Sequence, residues 1–199
     1  IGQVYAVRLW TGEDVVVKVV RPGTEIIFEQ DIEILTDMAA WAAQHTALGK
    51  LYNLPVLIEE FAHTIRAEFD YISEARNVES FARNFETDPS IYIPKIFWDQ
   101  TTRHVITLER VAGVKINDLA GLDAAGIDRR EVAENLMHFA LRQIFEFGLY
   151  HADPHAGNFF VQPDASLAVI DFGMVGRLNQ HLKRTFLGVA LAIERKDTD

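Results

Sequence analysis

The chain has 199 residues, 49% hydrophobic and 24% charged, the balance of an ordinary folded chain long enough to bury a sizeable core. A formal net charge of -10 with no basic stripe argues against a nucleic-acid surface, which needs clustered Lys and Arg to neutralise phosphates. The absence of cysteine excludes disulfides and thiolate metal sites and favours a reducing compartment such as the cytoplasm.

Acidity does not exclude a nucleotide, because a few local cations and bound magnesium can neutralise a triphosphate. No signal-peptide pattern opens the chain, and its longest late apolar run, Phe186 to Ile193, is far too short to span a bilayer. The chain opens inside a strand-like pattern and ends in the charged run Glu194 to Asp199, the pattern expected of a part of something longer. No internal repeat is visible.

Val4 to Leu9 and Val15 to Val20 read as strands joined by a hairpin with Gly12 at its turn. Lys18 is the sole charge in the second strand, on the face of Val16 and Val20. Such a lysine either snorkels from an edge or has an anionic partner. Glu25 to Gln44 reads as a helix capped by Thr24, with Ile26, Ile27, Ile34, Leu35 and Met38 on its apolar side. From Val56 to about Phe85, Ile58, Phe61, Ala62, Ile65, Phe69 and Ile72 recur at helical spacing, which predicts one long amphipathic helix. It carries Glu68, Asp70 and Glu74. Asp70 and Glu74 lie four apart, where like charges repel unless a cation sits nearby; a solvated acidic face is the plainer alternative. A strand lysine paired with a carboxylate on the next long helix is how a kinase small lobe positions phosphates, so Lys18 is expected to pair with Glu74.

Tyr92 to Trp98 and His104 to Val111 read as two strands with Asp99 to Arg103 as their turn. Glu109 to Gly113 is then a flexible connection at the natural place for a boundary, giving expected domains of residues 1–112 and 113–199. Glu109 and Val111 at that connection are assigned to nucleotide binding. Asn117 to Gly121 forms a short turn or helix. Asp128 to Phe147 reads as a helix with Val132, Leu136, Phe139, Ala140, Gln143 and Ile144 along one stripe, stopped by Gly148. Leu178 to Glu194 reads as a further helix.

Between these last two helices lies the stretch with the most chemistry, Leu149 to Gly173. Phe159 to Val161 and Leu167 to Ile170 read as a short hairpin, flanked by His151, Asp153, His155, Asn158 and Asp171. His-x-Asp, then Asn five residues after the Asp, then Asp-Phe-Gly, is the order in which phosphoryl-transfer enzymes set out a catalytic Asp, a metal-binding Asn and a metal-binding Asp. Moving a phosphoryl group requires hard cations held by oxygen ligands and a carboxylate within reach of the acceptor's proton. Asp153 is therefore the expected base, and Asn158 and Asp171 the expected magnesium ligands. The bland alternative is a polar turn, with Asp153 and Asp164 opening turns and His151 simply packed.

Four segments, Ile1-Gly-Gln-Val4 with Val17-Lys18-Val19, Glu68-Phe-Asp70-Tyr-Ile-Ser-Glu74-Ala, His151-Ala-Asp-Pro-His-Ala-Gly-Asn158 and Asp171-Phe-Gly-Met-Val-Gly-Arg177-Leu, resemble the UbiB/AarF family of atypical kinases, called ADCK in animals. The resemblance implies an α+β, bilobal protein-kinase-like fold cut short at both ends. Its small lobe would hold an antiparallel sheet and long helices, and its large lobe would be mainly helical. It implies ATP and Mg2+ as cofactors and Lys18 with Glu74 as the small-lobe ion pair. Gly2 and Gln3 would be the remnant of a nucleotide loop. Glu68 and Asp70 match the family's Glu-x-Asp signature, whose Lys-x-Gly-Gln counterpart is absent, and His151 and His155 belong to the loop signature. Ala156 departs from the pattern, where Pro is common. The implied role is an ATP-dependent kinase or ATPase supporting ubiquinone or isoprenoid-lipid metabolism. Its partners would be nucleotide, lipid or quinone precursors and a membrane surface, with a cytoplasmic location peripheral to the inner membrane, or mitochondrial in a eukaryote. Two alternatives stand beside it: a small-molecule kinase of the aminoglycoside or choline type, and a nucleotide-binding regulatory scaffold.

Overall fold

The two N-terminal strand signals form one antiparallel hairpin, β1 (Gly2–Arg8) and β2 (Asp14–Val20), with Val4 opposite Lys18. Gly12 turns it at φ +104°, a conformation that side chains avoid, and Arg8 clamps the turn against Asp14 at 2.8 Å. In the computed structural model, residues 2–195 are described; Ile1 and the charged tail from 196 onwards lie outside them. β4 (Val105–Glu109) pairs on the far side of β2 to complete a three-stranded sheet.

The chain divides into two compact units, Ile1–Ser73 with Phe97–Leu108, and Glu74–Ile96 with Glu109–Asp199. The expected single boundary at 112/113 thus differs from a division by compactness, which groups Glu74–Ile96 with the C-terminal part.

In the first unit, α1 (Thr24–His45) packs on α2 (Ala47–Leu51) and α3 (Leu54–Ala67). Gly23, in the left-handed region at φ +80°, precedes the helix, and no side chain caps it, so Thr24 is not the N-cap. The expected apolar side is also corrected. Ile26, Ile27, Ile34, Leu35 and Met38 are exposed, whereas Ile32 and Ala39, seven residues apart on one stripe, are buried. α1 is apolar on more than one side, so periodicity alone cannot identify the stripe that packs. Phe28 meets Phe69 with ring centroids 5.6 Å apart, and Arg66 pairs with Glu29 at 2.7 Å.

The long helix expected from Val56 to Phe85 is two helices, α3 and α4 (Tyr71–Asn84). The break has a local cause. The Asp70 carboxylate accepts the backbone N–H groups of Ile72 and Ser73 at 3.1 and 3.3 Å, which caps the start of α4.

In the second unit a four-stranded sheet runs β3 (Ile91–Tyr92), β8 (Leu167–Val169), β7 (Phe159–Val161), β5 (Val114–Lys115), with β3 parallel to β8 and the other pairs antiparallel. Of the strand expected over Tyr92 to Trp98 only Tyr92 lies in β3, because Pro94 has no N–H to give to a ladder. α5 (Leu119–Ala124) and α6 (Arg129–Leu141) begin on the side-chain caps Asp118 and Asp128. α6 passes into a π-helical turn, Arg142–Phe147, which Gly148 ends at φ +65°. β6 (Leu149–His151) then pairs antiparallel with β9 (Val175–Arg177), and α7 (Gln180–Arg195) follows. The core is aromatic: Phe81, Phe85, Phe139, Phe159 and Phe172 are all buried, with Phe81 and Phe172 4.7 Å apart and Phe85 and Phe139 5.1 Å apart. The whole is an α+β arrangement, as expected. No helix among the described residues is long and apolar enough to cross a membrane.

Candidate active site

β6 and the loop that follows it carry four of the five expected polar residues. His151, the last residue of that strand, is buried at 5% exposure between the rings of Phe172 and Phe159, whose centroids lie 5.6 and 6.2 Å away. Its Nδ1 accepts the backbone N–H of Asp153 at 3.1 Å, which places the ring proton of the neutral imidazole on Nε2. Nε2 is buried without a hydrogen-bond partner among the described residues. Burial holds the His151 pKa below its usual value, against the raising influence of Asp171 and Asp153. His151 is therefore a neutral structural pivot.

The Asp153 side chain is half exposed, while its backbone carbonyl accepts two bonds, from the His155 N–H at 2.9 Å and from Nδ2 of Asn158 at 3.0 Å. The second bond fixes the amide of Asn158, which is 6% exposed. With its nitrogen engaged, its oxygen is the atom left for a cation. The Asn158 carbonyl in turn accepts the N–H of Ile170 at 3.1 Å, tying the loop to the end of β8. His155 accepts the Gly157 N–H on Nδ1 at 3.0 Å, so its Nε2 faces the Asp153 carboxylate at 3.7 Å.

Asp171 follows β8 directly. One of its carboxylate oxygens accepts the Gly173 N–H at 3.0 Å. Phe172 is fully buried in the aromatic core, and its carbonyl accepts Nδ2 of Asn77 on α4 at 3.0 Å. The Asp-Phe-Gly turn is thus held by ring packing on one side and a helix amide on the other. A further bond, from the Ala152 N–H to the Met174 carbonyl at 2.9 Å, joins the two loops.

One unit therefore contains Asp153, Asn158 and Asp171, with His151 and His155 beside them. Glu74, on the first turn of α4, belongs to the same unit and is buried at 5% exposure. Lys18, half-buried on β2, belongs to the first unit, as do Gly2, Gln3, Glu68 and Asp70. Glu68 ends α3 and is half-buried; Asp70 is the cap of α4. Gln3 accepts the Tyr5 hydroxyl at 2.8 Å. Asp70 and Glu74 do not form the like-charged helix face expected of them, because Asp70 precedes the helix.

Of the two residues assigned to nucleotide binding at the connection, Val111 is half-buried, and Glu109 already serves its own unit. Its side chain accepts the Lys95 N–H at 3.2 Å, and burial together with its hydrogen bond pushes the Tyr92 phenol up to about 12. Sequence reasoning missed Asn77 and the role of Gln143. For Gln143 a signal existed, a polar side chain within the apolar stripe read over Asp128 to Phe147.

Among the described residues no group of three or more His, Cys, Asp or Glu gathers as a metal site. The expected set is smaller, one amide oxygen and one carboxylate. Such hard oxygen donors, already oriented by hydrogen bonds on their remaining atoms, fit magnesium, which keeps several waters or substrate oxygens in its shell.

A family model of the ABC1 atypical kinase-like domain matches residues 1–199. The chain is 37% identical over 99% of its length to "Probable protein kinase UbiB" of Marinobacter nauticus. It is 36% identical over 99% of its length to "Protein ACTIVITY OF BC1 COMPLEX KINASE 7, chloroplastic" of Arabidopsis thaliana. It spans 37% and 28% of those relatives, about a third of their length. Among solved structures it is similar to Rv3197 of Mycobacterium tuberculosis, determined in complex with erythromycin. The TM-score there is 0.68 at 26% identity, over 89% of this chain and 44% of that one. These similarities and the α+β arrangement make the fold protein-kinase-like.

Proposed function

The chain belongs to the ABC1 atypical kinase-like family, and on that premise we propose that it is the phosphoryl-transfer core of an atypical kinase or ATPase using ATP with magnesium. The observation that carries the reading is the shared loop of Asp153 and Asn158. One backbone carbonyl orients the amide so that its oxygen is offered to a cation, while the carboxylate of the same residue stays half exposed for a proton.

Asn158 through its amide oxygen and Asp171 through its carboxylate would hold magnesium. When bound, the ion supplies charge neutralisation at the phosphate oxygens. Asp153 takes the proton from the acceptor's hydroxyl, or from water in hydrolysis, as the new O–P bond forms and the nucleoside diphosphate leaves. The His155 Nε2 lies 3.7 Å from that carboxylate. Lys18 and Glu74 keep the roles the family resemblance gives them, a phosphate-positioning lysine and its carboxylate partner. On the same resemblance the activity supports ubiquinone or related isoprenoid-lipid metabolism at a membrane surface.

The test is nucleotide turnover by the full-length protein with magnesium, with and without quinone-precursor lipids. Stimulation by lipid supports this reading. Stimulation by a soluble amine or alcohol instead would make the protein a small-molecule kinase, and magnesium-dependent binding without turnover would make it a regulatory scaffold.

A further inference from the structure

The π-helical turn at the end of α6 places one buried amide against the catalytic loop. Gln143 is 4% exposed, its Nε2 donates to the Phe139 carbonyl at 2.9 Å, and its Oε1 accepts the backbone N–H of His151 at 2.6 Å. Both ends of the side chain are engaged, so the amide cannot flip without leaving two buried polar groups unmatched. From His151 the bonds continue in order: Asp153 N–H to His151 Nδ1, then Asn158 Nδ2 to the Asp153 carbonyl. Four consecutive hydrogen bonds thus run from the backbone of α6 to the amide of Asn158. π-turns are frequent where a helix serves a functional site, and here the turn ends with the Gly148 N–H on the Gln143 carbonyl at 2.8 Å, so both backbone and side chain of Gln143 anchor the segment leading into the loop.

We propose that Gln143 is a positioning residue of the phosphoryl-transfer loop. Through the His151 backbone it holds the imidazole as acceptor for Asp153, and through Asp153 it sets the amide of Asn158, whose oxygen would be the donor to a cation. This rests on the phosphoryl-transfer reading. It adds to that reading a residue outside the loop motif, reached through three intervening hydrogen bonds.

The experiment compares the full-length protein with Gln143→Met, which removes both bonds, and Gln143→Glu, which keeps an acceptor for the His151 N–H. Leu122→Ala, at a buried position of the same unit, controls for general destabilisation. Three quantities are read: the His151 tautomer from the imidazole 15N resonances, the magnesium concentration giving half-maximal turnover, and kcat. The parent holds a single Nε2–H tautomer. Gln143→Met mixes the tautomers and lowers kcat and magnesium affinity by about 10-fold, the low end of the range for a direct outer partner of a metal ligand because Gln143 acts through intervening bonds, and Gln143→Glu falls between. Leu122→Ala lowers thermal stability alone.

If both Gln143 variants only lower thermal stability, with tautomer, magnesium dependence and kcat as in the parent, the positioning role is overturned. Should Gln143→Met not fold, Gln143→Glu decides on the same readings. If the parent shows no turnover yet the tautomer is lost in Gln143→Met, positioning stands and the phosphoryl-transfer reading fails. If the tautomer is also unchanged, both fail.

Discussion

The amide nitrogen of Asn158 donates to the backbone carbonyl of Asp153 at 3.0 Å, so the residue assigned to a cation is oriented by the main chain of the residue assigned to a proton. The functional side chains can therefore be altered separately, because the bond that orients Asn158 does not use the carboxylate of Asp153.

Asp153→Asn follows from that separation. The main-chain bond to Asn158 survives and the phosphates would be held by other groups, so magnesium-ATP binding should stay near the parent's. Turnover should fall by roughly two to four orders of magnitude, the usual contribution of a general base. Calorimetric binding and steady-state rates on the full-length protein check both halves. Turnover equal to the parent's would remove Asp153 from the chemistry.

Asp171 tests the metal assignment. Its Gly173 bond uses one oxygen, and Asn in its place retains an acceptor there while lacking the negative charge that a cation requires. Asp171→Asn should lose most of any thermal stabilisation by magnesium-ATP. Unchanged stabilisation by magnesium-ATP would contradict the assignment.

Asp88 tests the acid stability of the second unit. Burial pushes its carboxyl up, but bonds from the Ser90 hydroxyl, Arg142, the Ser90 N–H and His138 outweigh it and bring the pKa from 3.8 to about 2. Arg142 reaches Asp88 at 2.7 Å and sits over the rings of Phe85 and Phe147. A depressed carboxylate stabilises the fold above its unfolded pKa, and that contribution is lost as pH falls from about 4 to about 2. Asp88→Asn should cost about 2 kcal/mol at neutral pH and remove this part of the acid limb. Denaturant unfolding of the two proteins across that pH range measures both effects.

Gly176 tests the pairing of β6 with β9. It lies opposite Tyr150, and a Cβ there would run into the Tyr150 ring. Gly176→Ala should destabilise by about 1–3 kcal/mol through overpacking. Adding Tyr150→Ala should relieve part of that loss, giving a non-additive double variant. Additive losses in urea unfolding would mean that the ring is not what Gly176 accommodates.

The order of chemistry in the loop, His151, Asp153, Asn158 and then Asp171-Phe-Gly, was legible from the sequence, as were the two hairpins β1–β2 and β7–β8. These features depend on short covalent separations, alternation and local turn residues, which one stretch of chain carries by itself. The same locality explains the stop at Gly148. Tertiary structure decided the rest. α1 is apolar on several sides, and only its neighbours α2 and α3 determine that Ile32 and Ala39 are buried. The break between Val56 and Phe85 is local instead: apolar spacing runs on unbroken, and periodicity does not register that the Asp70 carboxylate caps the start of a new helix. Asn77 and Gln143 lie 95 and eight residues from the groups they bond. Asn77 gives no sign of its partner in the sequence and Gln143 shows only as a polar side chain in an apolar stripe; the packing of α4 and of the π-helical turn after α6 determines which backbone groups each one meets.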